Sequence, residues 1–293
     1  MAIRRQADGF FYFTLAAMYI SLNGKMVKAD EPVFLSSNRG YRYGDGLFET
    51  IKIKNGKTLL GEYHFERLFS GLQLLKFELP GLFTRDNLVK GIIHLCEKNN
   101  CSSLARVRLS VFRGNGGLND GDTMASYLVE CWPLNESQNR INENGLVVDI
   151  FPDARKSCDI FSNLKSANYL PYAMAARFAK ENKLNDCFVL NFAGRIADST
   201  IANIFCIKDG VITTPGLSEG CVNGVMRRHL LAALKEAGYD VKELAVTDED
   251  IEMAEEVFLT NAISGIRWVK QFRQKAYSNQ QTTEIYNRFV KTI

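Results

Sequence analysis

The sequence predicts an α+β fold, a mixed α/β arrangement in two domains. Asn-Gly pairs between apolar runs near the start predict antiparallel hairpins. Helical and strand-like segments then mix without a regular βαβ repeat, and a polar stretch at 135–145 divides the chain in two. With 293 residues and 46% hydrophobic content, the chain is long enough to bury two cores. Because the regular βαβ repeat is missing, we do not expect a Rossmann-type sheet.

The first group of elements begins with two hairpins. Each Asn-Gly pair, at 23–24 and at 55–56, would supply the two positive φ angles that a tight hairpin turn needs. Apolar side chains at helical spacing predict a helix within 63–77, and Thr84 is a suitable N-cap for a second helix. Strands are predicted at 104–113 and 125–132, and they complete this unit.

The second group follows the polar stretch. Its predicted helices lie at 168–182, at 224–238 with Gly238 as C-cap, and at the C-terminus, and its predicted strands lie at 146–151, 187–191, 203–214 and 256–260. The first 17 residues combine a basic start with an apolar run too short to span a membrane, so we interpret them as a poorly ordered extension. The predicted division is an extension (1–17), a small α/β domain (18–134), a linker (135–145) and a large domain (146–293).

Composition and charge exclude several classes of protein. The 36 basic and 33 acidic side chains give a net charge of +3, and no run of like charges suggests a nucleic-acid partner. No window reaches membrane-spanning length. The seven cysteines contain no C-x-x-C pair and only three histidines accompany them, so we expect reduced thiols in a cytoplasmic protein without a metal site. The stretch at 114–123 lacks calcium-loop spacing and is interpreted as a loop.

Six short blocks resemble those of a known family. In chain order they are YGDGLFET, HFERL, NLKSANYL, ADSTIANIF, GCVNGVMRR and FLTNAISG. Together they resemble the class IV, fold-type IV pyridoxal phosphate enzymes, which include branched-chain aminotransferases, D-amino acid aminotransferases and aminodeoxychorismate lyases. The resemblance runs from about Met18 to the C-terminus. It implies a smaller N-terminal domain, a larger cofactor-binding domain and a homodimer in which the neighbouring subunit often completes the substrate pocket.

The resemblance also implies a site for pyridoxal 5'-phosphate. Lys165 would form a Schiff base with the cofactor's aldehyde and later move the substrate proton, which requires an uncharged amine. Asp198 would face the ring nitrogen; the family usually has Glu there, so the shorter side chain requires a small shift of ring or backbone. Tyr169 would bond the phenolic oxygen. On the phosphate side the resemblance implies Arg67, a helix start at Gly224, Val225 and Met226, and the pair Asn261 and Ala262.

Substrate-side residues would come mainly from the first domain. The block that contains Tyr43 and Glu49 faces the substrate in this family. Arg106, Arg108 and Arg113 lie on one predicted strand, and we expect them to share a face from which one could bind a substrate carboxylate bidentately. The alternative, a solvated arginine on an edge strand, stays open for at least one of the three.

The function implied by the resemblance is transfer of an amino group between an amino acid and a 2-oxo acid. Aminodeoxychorismate lyase, which releases pyruvate and forms 4-aminobenzoate, is an alternative because both reactions use the same lysine. Glu49 favours the aminotransferase, since the lyases carry Thr there, whereas Asn261-Ala262 resembles the lyases. A non-catalytic binding protein of the same fold is a second alternative, suggested by Asp198 in place of Glu. The amino donor, the acceptor and their chirality stay open.

Overall fold

The computed structural model describes residues 18–119 and 121–293. The predicted N-terminal extension, 1–17, lies outside the described residues. Within the described part, the chain forms two β-sheets with helices packed against them. The fold is a mixed α+β arrangement, as the sequence predicts.

The described part of 18–133 forms an antiparallel sheet and its helices. The elements in chain order are β1 (Tyr19–Leu22), β2 (Lys25–Lys28), α1 (Arg39–Tyr43), β3 (Gly46–Lys54), β4 (Lys57–Thr58), α2 (Gly61–Leu74), α3 (Arg85–Lys98), β5 (Leu104–Arg113) and β6 (Ala125–Pro133). The strands lie side by side in the order β2-β1-β6-β5-β3-β4. The long strands β3 and β5 pair from Gly46 facing Phe112 to Lys54 facing Leu104.

Both predicted hairpin turns are confirmed. Asn23 and Gly24 have φ angles of +50° and +84°, and Asn55 and Gly56 have φ angles of +51° and +70°. Two consecutive positive φ angles give the turn whose twist matches that of the flanking strands. The first turn sets the β1–β2 register, in which Leu22 faces Lys25, and the second sets the β3–β4 register, in which Lys54 faces Lys57.

Residues 146–293 form a mixed second sheet. The elements in chain order are β7 (Leu146–Lys156), α4 (Leu170–Glu181), β8 (Asp186–Asn191), β9 (Ile196–Ser199), β10 (Asn203–Lys208), β11 (Val211–Pro215), α5 (Val225–Glu236), β12 (Val241–Leu244), α6 (Asp248–Met253), β13 (Glu256–Asn261), β14 (Gly265–Phe272), β15 (Lys275–Ala276) and α7 (Gln280–Phe289). The strand order is β12-β11-β10-β13-β14-β7-β8-β9, and β15 pairs with β14. Short 3-10 helices occur at Glu136–Asn139 and Leu217–Glu219.

Each sheet has its own apolar core. In the first, α2 and α3 pack on one face of the sheet, where Leu68, Leu72 and Ile92 meet Ile51 and Val107. This packing leaves the other face of β3 and β5 free to meet the second sheet. The segment 135–145 connects the last strand of the first sheet to the first strand of the second. The division into two domains at this segment stays a prediction.

The sequence prediction missed one long strand and extended others too little. β14 occupies 265–272, directly after the apolar strand β13, in a region without a predicted strand. β7 runs five residues beyond the predicted 146–151. β14 pairs antiparallel with β13, from Val257 facing Val269 to Asn261 facing Gly265. The additional residues of β7 include Arg155 and Lys156, which pair in parallel with β8, so a distant strand and not the local pattern extends β7. Gly238 has a φ of +81° and lies one residue beyond the C-cap of α5, Ala237.

The segment that contains Lys165 and Ala167 is hydrogen-bonded to β3 of the first sheet. The backbone N–H of Phe48 in β3 donates to the carbonyl of Lys165, and the N–H of Ala167 donates to the carbonyl of Gly46, both at 2.9 Å. Lys165 is thereby held against the first sheet, although it lies between β7 and α4, which belong to the second group of elements. None of the described helices has the length and apolar character needed to span a bilayer.

Two helical glycines provide a test of the packing between α2 and this segment. A Cβ at Gly71 in α2 would lie 2.7 Å from Leu47 Cδ1 and 3.2 Å from Leu164 Cδ2, whereas a Cβ at Gly91 in α3 would meet no atom within 4 Å. We expect Gly91→Ala to raise the free energy of unfolding by about 0.5–1 kcal/mol, because alanine favours the helix. Gly71→Ala should lose this gain, because overpacking costs about 1–3 kcal/mol. Urea unfolding measures both, and equal gains would contradict the close packing at Gly71.

Candidate active site

A cavity of about 340 Å³ lies between the two sheets, a size typical of small-molecule sites. Its wall is contributed by β3 and β5 of the first sheet, by the Lys165 segment, and by β9, the start of α5 and the residues after β13 in the second. The side chains used below are Phe48, Arg67, Arg106, Arg108, Lys165, Tyr169, Tyr172, Asp198, Asn203, Gly224, Val225, Met226, Thr260, Asn261 and Ala262. Most candidates named from the sequence therefore meet in one place.

Lys165 presents its amine to this cavity. Its Nζ lies 4.6 Å from the centre of the Phe48 ring and 5.7 Å from that of Tyr169. Burial, and then the positive charge of Arg67, lower the pKa of Lys165 from its ordinary value of 10.5 to about 8. At neutral pH this lowered pKa raises the uncharged fraction of the amine. The amine is therefore suited to act as a nucleophile or a base.

Arg67 is fixed beside Lys165 by a buried carboxylate. Its Nε and Nη2 donate to the two oxygens of Glu49 at 2.8 and 2.6 Å, and its Nη1 donates to the carbonyl of Asn223 at 2.9 Å. Three of the five guanidinium N–H groups are thus engaged, and two remain for an anion. The ion pair is bidentate, so the position of the guanidinium plane is well determined.

Glu49 is ionised in spite of its burial. Burial alone would raise the pKa of this carboxyl, but Arg67 and His64 outweigh burial and hold the pKa at about 2. His64 Nδ1 lies 2.6 Å from Glu49 Oε2 and donates to it. Burial lowers the pKa of His64, against the opposing effect of the Glu49 carboxylate. The result is a fixed Glu49–Arg67 pair with His64 behind it.

The first turn of α5 supplies backbone donors next to Arg67. Gly224 is the N-cap and no side chain caps the helix, so the amides of Val225 and Met226 stay open to a ligand. A Cβ at Gly224 would lie 1.8 Å from Asn203 Oδ1, so glycine is required by the close approach. The carbonyl of Asn223, immediately before this turn, is the one that accepts from Arg67. This end of the cavity has the donor set of a phosphate site.

Asp198 is buried at the cavity wall, with 3% of its surface exposed. Its Oδ2 accepts from Lys156 Nζ at 3.0 Å, from the Tyr172 hydroxyl at 2.7 Å and from the Val222 amide at 3.0 Å. Its Oδ1 accepts one bond, from Asn203 Nδ2 at 2.9 Å. Oδ1 therefore keeps a second acceptor position. The carboxylate is oriented by four donors and can still accept from a ligand N–H.

Two partners of Asp198 were missed by sequence reasoning. Lys156 is almost fully buried and pairs with the carboxylate, and Tyr172 lies in the first turn of α4 with its ring 4.6 Å from that of Tyr169. Tyr172 could have been found from its position three residues after Tyr169, which puts both on one helix face. No signal in the sequence marks Lys156, because it comes close to Asp198 only through the parallel pairing of β7 with β8.

Tyr169 and the loop after β13 border the same cavity. The Tyr169 hydroxyl donates to the Thr200 carbonyl at 2.9 Å, so toward the cavity it offers acceptor positions. Asn261 Oδ1 accepts from the amides of Ile263 and Ser264, which shapes the loop. Among the described residues, the buried Thr260 hydroxyl has no hydrogen-bond partner, although it lies on the cavity wall. A buried hydroxyl without a partner is costly unless a ligand bonds it.

Two arginines on β5 reach the opposite side of the cavity. Arg108 is the more firmly held: its guanidinium lies 3.8 Å from the centre of the Phe48 ring, and its Nε donates to Ser110 Oγ at 3.1 Å. Arg106 is more exposed and lies 5.4 Å from the centre of the Trp132 ring. Burial lowers the pKa of Arg108, which remains a cation at any physiological pH.

Comparison with known proteins identifies the family to which this chain belongs. The profile described as "Amino-transferase class IV" matches residues 46–272. The chain belongs to the class IV aminotransferase family. It is 28% identical over 270 residues, 92% of each chain, to a Methanocaldococcus jannaschii protein provisionally named a branched-chain-amino-acid aminotransferase. It is 26% identical over 268 residues, 89% of each chain, to the aminodeoxychorismate lyase of Bacillus subtilis.

Solved structures agree on the fold. The crystal structure of a branched-chain aminotransferase from Thermoproteus uzoniensis, with norvaline, superposes with a TM-score of 0.84 at 22% identity. The superposition covers 94% of this chain and 95% of the other. This class IV family member therefore has the predicted fold-type IV architecture, and the family resemblance drawn from six short blocks is confirmed.

Three of the predicted substrate residues do not lie on the cavity wall. Glu49 is 1% exposed and points to the core face of β3, because it is one residue away from the cavity-lining Phe48 and side chains alternate along a strand. Arg113 lies on the opposite face of β5 from Arg108, since five residues separate them; it pairs with Asp45 at 2.6 Å and stacks on Phe77.

Tyr43 is the third of these residues. It ends α1, is 39% exposed and lies near the guanidinium of Arg39, 5.8 Å from its ring centre. Within the described part of the chain it is not among the residues that border the cavity. Glu49 thus contacts the site through Arg67, whereas Arg113 pairs with Asp45 away from the cavity wall. The prediction that all three arginines share a face is wrong for Arg113.

The depressed pKa of Lys165 predicts how its amine reacts as pH changes. The charged form dominates below pH 8 and cannot attack an electrophile, so the rate of trinitrophenylation should rise through pH 8 and level off above about pH 9. Surface lysines should still be gaining reactivity at pH 10. The measurement is the pH profile of the fast-reacting lysine, located by peptide mapping, with Lys165→Ala as control. A midpoint near 10.5 would show that the cavity does not lower this pKa.

Proposed function

We propose that this protein is a pyridoxal 5'-phosphate-dependent aminotransferase that moves an amino group between an amino acid and a 2-oxo acid. The observation that carries the proposal is the amine of Lys165, with its pKa lowered to about 8, in a cavity that has phosphate donors and a buried carboxylate on its wall. Family membership supports the same class of reaction.

The residues of the cavity fit this cofactor. Two free N–H groups of Arg67 and the open amides at the start of α5 suit a phosphate dianion. Asp198 keeps one acceptor position, which suits a protonated ring nitrogen. The unpartnered Thr260 hydroxyl offers a further polar contact on the same wall. Asp is one methylene shorter than the Glu usual in the family, but four donors hold its carboxylate firmly in place.

Each side chain then has a defined task. Pyridoxal phosphate, when bound, supplies an aldehyde for the lysine and an electron sink that stabilises negative charge on the substrate Cα. Lys165 would remove the proton from that Cα and deliver it to the cofactor carbon, which its lowered pKa permits near neutral pH. Asp198 holds a proton on the ring nitrogen, because a buried carboxylate favours the charged form of a partner. Arg67 and α5 keep the phosphate in place during turnover.

Of the arginines on the cavity wall, Arg108 and Arg106 are the candidates for binding the substrate carboxylate. We assign the contact to Arg108, because the Phe48 ring and Ser110 already orient its guanidinium and little side-chain entropy is left to lose. Arg106, which is more exposed, would act at the rim. The second subunit of the proposed homodimer would cover exposed apolar side chains at and near the cavity, such as Ile201, which is 62% exposed on the cavity wall.

Aminodeoxychorismate lyase remains the second candidate. The Bacillus subtilis relative carries that name, and Asn261 and Ala262, the pair that resembles the lyases, border the cavity. The argument for transamination from Glu49 is weaker than the sequence suggested, because this side chain does not lie on the cavity wall. Spectral and product assays therefore have to include both reactions.

The first test follows the cofactor's visible absorbance. The protein with bound cofactor should show a band in the visible that is absent from Lys165→Ala, and one amino donor among L-alanine, D-alanine, L-glutamate and a branched-chain amino acid should convert it to the amine form. Conversion by one donor identifies the aminotransferase and its chirality. Pyruvate release from aminodeoxychorismate, with no donor active, would replace it by the lyase. No band with added cofactor would leave only a non-catalytic binding protein.

A matched pair of arginine variants tests the substrate contact. Arg108→Gln should raise the KM for the amino donor about tenfold to a hundredfold, because one charge-assisted bidentate contact is lost, with little change in cofactor affinity. Arg106→Gln, two residues away on the same face, should change KM less. Steady-state kinetics and cofactor titration measure the two effects. A larger loss in Arg106→Gln would move the assignment to that residue.

A further inference from the structure

A cluster of three cysteines lies in the core of the first sheet, away from the cavity. Cys96 is in the last turn of α3, Cys101 begins the run into β5, and Cys131 is on β6. Their three Sγ atoms all lie within 4.8 Å of one another, and the Cys101 and Cys131 sulfurs are 3.6 Å apart. All three side chains are at least 98% buried. The transamination chemistry makes no use of them.

Two of these cysteines meet because of how α3 ends. Asn100 has a φ of +54°, and the amide of Cys101 donates back to the carbonyl of Cys96 at 2.9 Å. This is the Schellman arrangement, in which the residues at its two ends come into contact. The third cysteine reaches them from β6, whose inward positions alternate with period two. The sequence expectation of no metal site rested on spacing along the chain, whereas this cluster is formed by a helix end and a strand 30 residues further on.

The spacing of the sulfurs suits a metal ion. Three thiolates bound to one ion at about 2.3 Å have sulfurs about 3.8–4.0 Å apart, for angles between tetrahedral and trigonal. The Cys101–Cys131 separation of 3.6 Å is slightly shorter than this value and every pair of sulfurs lies within 4.8 Å, so small movements of the side chains would complete the site. Soft cations such as Zn²⁺ and Cd²⁺ prefer thiolate ligands.

The side-chain amide of Asn99 can stabilise the negative charge that a three-thiolate site would carry. A divalent ion with three thiolates leaves a net charge of −1, which an apolar core disfavours. Asn99 Nδ2 lies 3.1 Å from Cys131 Sγ and donates to it. The rest of the Asn99 amide is fixed by the backbone N–H and carbonyl of Tyr19, each at 2.8 Å. Asn99 and Tyr19 are only half-buried, so this side of the cluster lies close to solvent.

We propose that Cys96, Cys101 and Cys131 form a three-thiolate site for one soft divalent cation of the zinc group. The ion would cross-link the end of α3 to β6, and three protein ligands leave one coordination position for a water or a small anion. It would stabilise the strands that carry Arg106 and its aromatic partner Trp132, the neighbour of Cys131. The effect is on folding and not on the chemistry at Lys165, so it does not rest on the proposed function.

The test uses Cd²⁺ with the full-length, reduced protein after removal of metals. Titration should produce a sulfur-to-metal charge-transfer band in the ultraviolet that saturates at one equivalent, and X-ray absorption should give three sulfur neighbours per ion. Cd²⁺ and Zn²⁺ should also raise the thermal unfolding midpoint, because the folded chain holds the three thiols together and binds the ion more tightly than the unfolded chain does. Two sulfur neighbours or fewer in the wild-type protein would overturn the proposal without any variant.

Matched variants separate this cluster from the other cysteines. Cys131→Ala should weaken Cd²⁺ binding about a hundredfold or more and abolish the thermal shift, because one of three ligand bonds is lost. Cys187→Ala, at a buried cysteine whose thiol donates to the Ala175 carbonyl, and Cys158→Ala, at an exposed cysteine, should bind as the wild type does. Lys165→Ala should also bind Cd²⁺ normally. Unchanged binding in a folded Cys131→Ala variant would contradict the site.

Discussion

The active site of this class IV family member depends on the pairing of the Lys165 segment with β3. Two backbone hydrogen bonds attach a connection of the second sheet to the edge of the first, at Phe48 and at Gly46. That attachment brings the amine of Lys165 against Phe48 and close enough to Arg67 for its charge to lower the lysine pKa. Without these hydrogen bonds the Lys165 amine would not be held beside Phe48 and Arg67.

Buried charges around the cavity are arranged in pairs. Glu49 is matched by Arg67, and Asp198 by Lys156, with a tyrosine and two amides completing the second group. Burying such pairs contributes little to stability and often costs it, so their presence is better explained by function than by folding. In each pair the anion fixes its partner or is fixed by it, while part of the donor or acceptor capacity stays open to the cavity. The site is therefore preorganised before any ligand binds.

Sequence reasoning succeeded where the signal was local and failed where alternation or distance decided. The Asn-Gly turns and the Thr84 cap were predicted correctly because neighbouring residues specify them, and the ordered blocks identified the family. Glu49 was placed on the substrate because its block was treated as one unit, although adjacent residues of a strand face opposite ways. Arg113 failed for the same reason. Lys156 could not be found at all, since its contact with Asp198 spans 42 residues and arises from parallel strand pairing.

By itself the sequence determined the fold class and the family, because hydrophobic period, turn residues and ordered motifs are local properties. It also predicted Lys165 as the reactive lysine. Only the tertiary structure decided which side chains meet: that Glu49 supports Arg67, that Arg108 and not Arg113 reaches the cavity, and that Cys131 joins Cys96 and Cys101. The physical reason is that pKa values, ion pairs and ligand sets depend on distances across the fold. Local propensity does not encode those distances.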